Sequence, residues 1–321
     1  PGRSGALCAD RGDQLSDWDF ADRLIPARSD LAAERLRGRV PAERYAAGER
    51  TSVAVALLDL RLDPDPGASL ATQLLMGEPF EVYERRPDNL CWGQSLRDGY
   101  VGFVSADGLG PAGPAGVGVT ALASHIYAEP DARAASLGAL HFGAEVAVTD
   151  GSVAGFRKLR DGGYIPAMHL EPPAGSVADC ALRFAGAPYL WGGRSVRGID
   201  CSALVQLGCW GAGLDAPRDS DMQAAGLGRE LGDDEALQEN DLVFWKGHVA
   251  IMIDATRIVH ANAHHMAVAV APLDQAVLRI ARSGGGPVTT RRRLLGNRRN
   301  RAERHQRVSL REIKVDDASG P

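Results

Sequence analysis

The chain has 321 residues, of which 45% are hydrophobic, so it can hold two or three domains with real hydrophobic cores. No apolar run approaches the ~18 residues that cross a bilayer, which excludes a membrane-spanning helix. The formal net charge of −5 argues against nucleic acid as the main partner.

The first 50 residues are predicted to form an N-terminal extension with little regular structure. Residues 1–20 are polar and show no apolar segment of the kind found in signal peptides. Ser29 and Asp30 precede residues 31–36, which are expected to form one short capped helix. Because no export signal is visible, we expect a cytoplasmic protein, although a chain that begins with Pro1 leaves the native start open.

The five cysteines favour the same compartment. Their number is odd, and none belongs to a CxxC pair typical of a metal site. Free thiols in this pattern are typical of a reducing environment.

Residues 51–110 are predicted to form a small all-β barrel. Alternating apolar residues from Val53 to Leu62 end at the turn sequence Pro64-Asp65-Pro66-Gly67. Strand-like segments bounded by turn residues follow at 72–76, 79–83, 91–95 and 100–104.

The same pattern returns after a linker rich in proline and glycine at 111–116. Arg97-Asp98-Gly99-Tyr100 has a counterpart in Arg160-Asp161-Gly162-Gly163-Tyr164, about one small barrel later. The sequence therefore predicts a second, tandem barrel at 118–171.

A candidate nucleophile follows the two barrels. Asp200-Cys201-Ser202 precedes the apolar run from Ala203 to Leu207. Asp200 or its neighbour is expected to cap a helix, with Cys201 in its first turn. The positive end of the helix dipole favours a thiolate at that position.

A hairpin further along supplies a candidate base. Strand-like runs lie on either side of Asp254-Ala255-Thr256. If Ile253 lies near Arg257, then His248 and His260 share one face, with Cβ atoms roughly 7–8 Å apart or less. One imidazole can take the thiol proton while the other orients it. Either histidine alone is more often structural, but the set together with Cys201 predicts a catalytic site.

His264 and His265 lie close enough to His260 to suggest a metal site. Zinc needs three or four ligands, and no cysteine or acidic residue stands here at a ligand-like spacing. We therefore predict neither a metal nor another cofactor.

Four segments carry a specific resemblance: Tyr189-x-Trp191-Gly192-Gly193, Asp200-Cys201-Ser202, Gly247-His248-Val249-Ala250-Ile251 and Val259-His260-Ala261. In this order they resemble the NlpC-type papain-like cysteine peptidases of bacterial cell-wall metabolism, over about residues 175–282. The two preceding units resemble bacterial SH3-like domains. The resemblance implies an α+β fold, with a papain-like domain of helices packed on an antiparallel sheet behind two SH3-like β-barrels.

The resemblance also implies roles for four residues. Cys201 is the expected nucleophile, His248 the general base and His260 the polar third member. Tyr189 is expected to form an oxyanion hole with the backbone N–H of Cys201. The cysteine and His248 are expected to form a thiolate–imidazolium pair.

Further residues are expected to bind substrate. Asp200 and Ser202 flank the nucleophile, and Arg218-Asp219-Ser220 stands where an Arg-Asp-Ser element lines the site in the subfamily that cuts cell-wall peptides. Asp219 is expected to bind an ammonium and Ser220 a carboxyl or amide, unless the two only begin a short helix. Glu78, with Tyr100 beside it, is the candidate residue to bind the N-terminal ammonium of the substrate. Taken alone, Glu78 is more typical of a surface charge on a strand, and Tyr100 of a tyrosine in a barrel core.

The implied substrate is a peptide from peptidoglycan, cut between γ-D-glutamate and a diamino acid, either meso-diaminopimelate or lysine. Free L-Ala-γ-D-Glu-diaminopimelate fragments in muropeptide recycling are the preferred substrate class. The alternatives are a secreted hydrolase of intact wall and a non-catalytic wall-binding adaptor.

Residues 283–321 are expected to be a disordered basic tail. The last 31 residues hold nine arginines and one lysine against four acidic residues. Contact with nucleic acid or anionic lipid is the alternative to a solvated tail.

Overall fold

The computed structural model describes residues 22–114, 116–171 and 175–294. The predictions for Cys8, for the first 20 residues and for the tail beyond Leu294 lie outside these ranges. The described chain forms two β-rich units followed by a mixed domain of helices and sheet. None of the helices in these ranges is both long enough and apolar enough to cross a membrane.

The first unit is a barrel-like arrangement of short strands. A five-stranded sheet in the order β8-β7-β6-β3-β9 is completed by the β4–β5 hairpin and the parallel β1–β2 pair. Phe80 and Leu74 are fully buried between the sheet and the hairpin. The strands are β1 Leu31–Ala33, β2 Arg44–Ala46, β3 Glu49–Val53, β4 Leu57–Leu60, β5 Thr72–Leu75, β6 Pro79–Arg85, β7 Leu90–Ser95, β8 Val101–Ser105 and β9 Leu109–Pro111.

The helix predicted at 31–36 is wrong. The chain instead forms strand β1 and a single 3-10 turn, Glu34–Leu36. All three residues of β1 are fully buried and pack in a cluster with Trp92 and Phe103 of the sheet. A six-residue helix has little stability of its own, so burial on every side of the strand decides the conformation. The described part of the N-terminal extension, from residue 22, therefore packs with the first barrel.

The second unit repeats the backbone pattern of the first. Its strands are β10 Val117–Gly118, β11 Ala123–Tyr127, β12 Ser136–His141, β13 Glu145–Val146, β14 Phe156–Lys158 and β15 Tyr164–Pro166. Gly77 and Gly143 stand at matching positions of the two copies and have φ of +82° and +88°. At Gly77 a Cβ would lie 2.0 Å from the Glu145 carbonyl oxygen, so only glycine allows the two units to approach here.

The third unit packs helices on an antiparallel six-stranded sheet in the order β18-β23-β19-β20-β21-β22. The buried face of α2, including Leu204 and Leu207, contacts Phe244, Ile251 and Val259 of the sheet. The elements are α1 Val177–Leu182, β16 Arg194–Ser195, β17 Gly198–Ile199, α2 Cys201–Gly211, α3 Ser220–Gly226, β18 Arg229–Glu230, β19 Asp241–Trp245, β20 His248–Met252, β21 Arg257–Asn262, β22 Ala267–Pro272, α4 Leu273–Arg282 and β23 Thr290–Arg293.

The sheet extends beyond the predicted end of the domain at 282. Strand β23 inserts between β18 and β19 and pairs with both. Its Arg292 is buried and donates to the carbonyl oxygens of Ala224, Leu227 and Gly228. An arginine-rich sequence lacks the apolar alternation of a strand, which is why the segment was predicted to be tail.

A buried ion cluster joins the first barrel to the third unit. Glu78 has no exposed surface, and its Oε1 accepts from Arg194 at 2.9 Å and from Arg97 at 3.0 Å. The two guanidinium groups lie over the Trp210 ring, with Cζ 4.7 and 3.6 Å from its centre. Arg194 is also fully buried. The Glu78 carboxylate and the Arg194 guanidinium therefore compensate each other's buried charge.

Glu78→Ala should lower the free energy of unfolding by about 3 kcal/mol, because it removes the nearer carboxylate of the buried Arg194 and leaves only Asp98, whose Oδ2 lies 3.6 Å from Arg194 Nη1. Urea denaturation of the purified variant measures this change. The matched control is Glu49→Ala, which breaks an exposed pair with Arg85 and should cost about 0–1 kcal/mol. Equal losses in both variants would contradict a structural role for the buried pair.

Candidate active site

Helix α2 presents Cys201 as its first residue. Asp200 is the N-cap, and its Oδ1 accepts the backbone N–H of Ala203 at 2.8 Å. Cys201 is 7% exposed, and the backbone of Val249, the neighbour of His248, favours its thiolate form. The predicted cap and helix start are thus confirmed, and the nucleophile lies beside strand β20.

A buried network beneath the nucleophile holds the loop and the helix together. Arg218 donates to both carboxylate oxygens of Asp200, at 3.0 and 2.7 Å, and to Ser202 Oγ at 2.9 Å. Its Nε donates to Thr72 Oγ1 of the first barrel at 2.8 Å. The same Asp200 carboxylate also accepts the backbone N–H of Gly192 at 2.9 Å.

This network corrects the substrate-binding role predicted for Arg218. The side chain is 1% exposed, so it cannot reach a substrate in this conformation. Asp200 and Ser202 are buried as well, and their polar atoms are engaged with Arg218 and with the start of α2. Asp200, Ser202 and Arg218 therefore hold the start of helix α2, and with it Cys201, in place.

The two histidines meet as the hairpin register predicted. Ile251 pairs with Val259 and Met252 with Ile258, which confirms the register and puts His248 and His260 on one face. His248 Nε2 lies 2.9 Å from His260 Nδ1. Because Nε2 is engaged in this contact, Nδ1 is the His248 nitrogen left to exchange a proton with Cys201.

Burial favours a neutral thiol and a neutral imidazole in the free protein. It raises the pKa of Cys201 to about 12, assisted by the Asp200 charge, and outweighs the backbone hydrogen bonds that stabilise the thiolate. Burial also lowers the pKa of His248 to about 4, with a contribution from the positive charge of Arg279. These shifts oppose the predicted thiolate–imidazolium pair in the free protein, which stays a prediction, because desolvation disfavours both charged forms.

Arg279 of α4 lies next to His260, the second member of the histidine pair. Its Nη2 lies 3.5 Å from His260 Nε2, at the limit of hydrogen bonding. Burial, reinforced by the charges of His248 and Arg279, lowers the pKa of His260 to about 3. His260 therefore stays neutral and orients His248 without carrying charge.

Tyr189 lies on the loop in front of the nucleophile. Its backbone N–H donates to the Met266 carbonyl at 2.9 Å, which ties the loop to the turn before β22. Burial and the neighbouring Cys201 raise the pKa of the phenol to about 12, so the hydroxyl stays protonated. A protonated phenol can donate to an oxyanion, as its predicted role requires.

A second polar group lies where the first barrel meets α3. Tyr100 Oη donates to Asp219 Oδ2 at 3.1 Å, and Arg23 Nε lies 3.0 Å from the same oxygen. Burial raises the pKa of Asp219, and Arg218 and Arg23 oppose this shift. The Asp219 side chain does not cap α3, whose first residue is Ser220. Sequence reasoning therefore found Tyr100 and Asp219 but missed Arg23.

Glu78 does not belong to this group. The ammonium-binding role predicted for it is wrong, because its carboxylate is fully buried and paired with Arg194 and Arg97. The acidic residue beside Tyr100 is Asp219.

The remaining thiols and histidines form no second reactive centre in the described parts of the chain. Cys91, Cys180 and Cys209 are free and buried, and burial raises the pKa of each. Among residues 22–114, 116–171 and 175–294, no group of three or more His, Cys, Asp or Glu side chains has the geometry of a metal site.

Two family models match the segments that form this site. Residues 186–280 match the NlpC/P60 family, and residues 60–109 match the bacterial dipeptidyl-peptidase SH3 domain. The chain carries an NlpC/P60 domain. The predicted family and the α+β fold are thereby confirmed, with an SH3-like region preceding the NlpC/P60 domain.

Curated proteins similar to this domain include two dipeptidyl-peptidases. Dipeptidyl-peptidase 6 of Lysinibacillus sphaericus is 36% identical over 100 residues, 31% of this chain and 36% of that protein. The γ-D-glutamyl-L-lysine dipeptidyl-peptidase of Bacillus cereus is 32% identical over 111 residues, 32% and 33% of the two chains. The chain thus spans about a third of the length of these relatives.

Similarity to solved structures extends beyond the NlpC/P60 domain. An NlpC/P60 family protein from Bacillus cereus aligns over 77% of this chain and 100% of its own, with a TM-score of 0.63 and 19% identity. An NlpC/P60 endopeptidase from Photobacterium damselae aligns over 79% and 73%, with a TM-score of 0.50 and 15% identity. At these identities the likeness concerns the fold.

Alkylation of Cys201 by iodoacetamide should accelerate about tenfold per pH unit between pH 7 and 9, because the thiolate fraction of a thiol with a raised pKa grows in that proportion. Mass spectrometry of the Cys201 peptide follows the rate, and Cys201→Ala gives the background from the other thiols. A rate that is already independent of pH at neutrality would contradict the neutral pair.

Proposed function

We propose that the protein is a cysteine peptidase that hydrolyses the bond between γ-D-glutamate and a diamino acid in peptides derived from peptidoglycan. The carrying observation is the hydrogen-bonded His248–His260 pair beside Cys201 at the start of α2. Membership of the domain in the NlpC/P60 family and the names of its dipeptidyl-peptidase relatives support the reaction class.

Acylation begins with proton transfer from the Cys201 thiol to His248 Nδ1. Since both groups are neutral in the free enzyme, the transfer accompanies attack of sulfur on the substrate carbonyl. His260 holds the ring through the 2.9 Å contact at Nε2. His248 then donates the proton to the leaving amine of the diamino acid.

The oxyanion formed in this step has two candidate donors. The backbone N–H of Cys201 is the first of α2, and such groups have no acceptor within their helix. The Tyr189 hydroxyl, held as a phenol by its raised pKa, is the second. Water activated by His248 then hydrolyses the thioester and releases the γ-D-glutamyl product.

A short fragment with a free N-terminus is the proposed substrate. Asp219, with Tyr100 as its hydrogen-bond donor, provides an acidic group at the boundary of the first barrel and the NlpC/P60 domain, which supports binding of an N-terminal ammonium there. Such fragments arise when cell wall is recycled, and we propose that the enzyme acts on them in the cytoplasm. The adaptor alternative is disfavoured because the hydrogen-bonded histidine pair is intact.

Wild-type protein should release L-Ala-γ-D-Glu from L-Ala-γ-D-Glu-meso-diaminopimelate, whereas Cys201→Ala should be inactive because it lacks the nucleophile. Liquid chromatography with mass detection follows the product. N-acetylation of the peptide removes the ammonium proposed to meet Asp219 and should reduce kcat/KM by at least about tenfold.

Failure of wild-type protein to cleave either peptide would overturn the proposed activity. Equal cleavage of free and acetylated peptides would overturn the requirement for a free amine. A sedimentation assay with purified wall sacculi tests the secreted-hydrolase alternative, which requires cleavage of intact wall.

The acid limb of kcat/KM should lie near pH 4. The reaction needs neutral His248, and its lowered pKa of about 4 keeps the base available above that pH and removes it below. Activity on the meso-diaminopimelate peptide should therefore change little from pH 7 to 5. Circular dichroism at each pH separates titration from unfolding, and a limb near pH 6.5 would contradict the predicted shift.

A further inference from the structure

An accessible ion pair bridges the N-terminal extension and the NlpC/P60 domain. Arg23 Nε lies 3.0 Å from Asp219 Oδ2, and the guanidinium also contacts Asp221. The Arg23 and Asp219 side chains are 32% and 21% exposed, whereas Glu78 and Arg194 of the nearby joint are 0% exposed. A ligand can therefore reach the first pair but not the second.

The first barrel fixes the position of Arg23. The Arg23 carbonyl accepts the backbone N–H of Val101 at 2.8 Å, and the Leu24 carbonyl accepts from Gln94 Nε2 at 2.8 Å. Leu24 packs against the barrel core. Arg23 thus stands beside Tyr100 on the barrel side of the boundary, and Asp219 stands opposite on the NlpC/P60 side.

The Arg23–Asp219 pair is adjacent in sequence to the buried network of Arg218, Asp200 and Ser202 around Cys201. Asp219 follows Arg218, whose guanidinium contacts Asp200 and Ser202 on either side of Cys201. We take a peptide with its scissile carbonyl at Cys201 to extend its N-terminal part toward Asp219 and Arg23.

The charges of the pair are complementary to the proposed substrate. A γ-linked D-glutamate keeps its α-carboxylate free, so L-Ala-γ-D-Glu presents an ammonium and a carboxylate close together. Guanidinium is the side-chain group best suited to a carboxylate, and its contacts at Nε and Nη2 leave further donors among its five N–H groups.

We propose that Arg23 binds the free α-carboxylate of the γ-linked D-glutamate while Asp219 receives the N-terminal ammonium. The inference rests on the proposed function and names a specificity residue for it. Arg23 would then distinguish D-glutamate from D-isoglutamine, in which the same group is an uncharged amide.

The test is a cycle of protein and substrate changes. Wild type and Arg23→Gln are assayed on L-Ala-γ-D-Glu-meso-diaminopimelate and on the matched D-isoglutamine peptide. Wild type should lose about 10- to 100-fold in kcat/KM on the amide, as expected for a hydrogen bond to a charged group. Arg23→Gln should lose a similar factor on the carboxylate peptide and little more on the amide, and Arg23→Lys should recover part of the preference.

Arg37→Gln is the matched control, because Arg37 belongs to the same extension and pairs with the exposed Glu34. It should keep the wild-type preference for the carboxylate peptide. Calorimetric binding of the L-Ala-γ-D-Glu dipeptide and its α-amide to Cys201→Ala provides a second measurement, in which the dipeptide should bind at least about tenfold more tightly than its amide.

The outcomes separate this inference from the function on which it rests. If Arg23→Gln loses the same factor in kcat/KM on the two peptides, the inference is overturned. Such a result would indicate that Arg23 only holds Asp219 in position. Faster cleavage of both peptides by Arg23→Gln would also overturn it and indicate that Arg23 blocks the ammonium site. Failure of wild type to cleave either peptide would overturn the proposed function and this inference with it.

Discussion

The buried pair between Asp200 and Arg218 is the interaction on which the rest of the site depends. The carboxylate caps α2, accepts from the Gly192 loop and receives two hydrogen bonds from the guanidinium. Arg218 also reaches Thr72 of the first barrel. This ion pair thus connects the start of helix α2, the loop at Gly192 and the neighbouring barrel.

Burial of this network has a chemical consequence for the nucleophile. The Asp200 charge opposes a thiolate at Cys201, whereas the Arg218 charge and two backbone hydrogen bonds favour it. Desolvation is the larger effect, and it acts on His248 as well. In the proposed reaction, proton transfer from Cys201 to His248 would accompany attack on the carbonyl, and a substrate that excludes water would strengthen these interactions.

Local sequence signals predicted the core of the site because short-range rules determine it. The turn at Asp254-Ala255-Thr256 sets the hairpin register, and the register alone brings the two histidines together. The cap at Asp200 similarly fixes where α2 begins. Each inference needed only residues close in sequence and the known geometry of a hairpin or a helix.

The errors arose where distant residues decide the outcome. Glu78 meets Arg194, 116 positions away, and nothing near Glu78 in the sequence signals that its charge is buried. The β1 segment becomes a strand because aromatic residues of the sheet cover it, and β23 is held by carbonyl oxygens at the end of α3. Arg23 was missed for the same reason, since its partner Asp219 lies in another domain.

The boundary between the first barrel and the NlpC/P60 domain holds two groups of ion-paired side chains. One group is largely buried, and the other is partly exposed to solvent. Glu78 and Arg194 have no exposed side-chain surface and, with Arg97, join the two domains beside Trp210. Tyr100, Asp219 and Arg23 lie at the same boundary but retain exposed surface. Recognition of a charged peptide requires groups whose relative position is fixed before binding. A buried joint next to an accessible pair meets this requirement, and under the proposed function the barrel contributes to substrate recognition as well as to the fold.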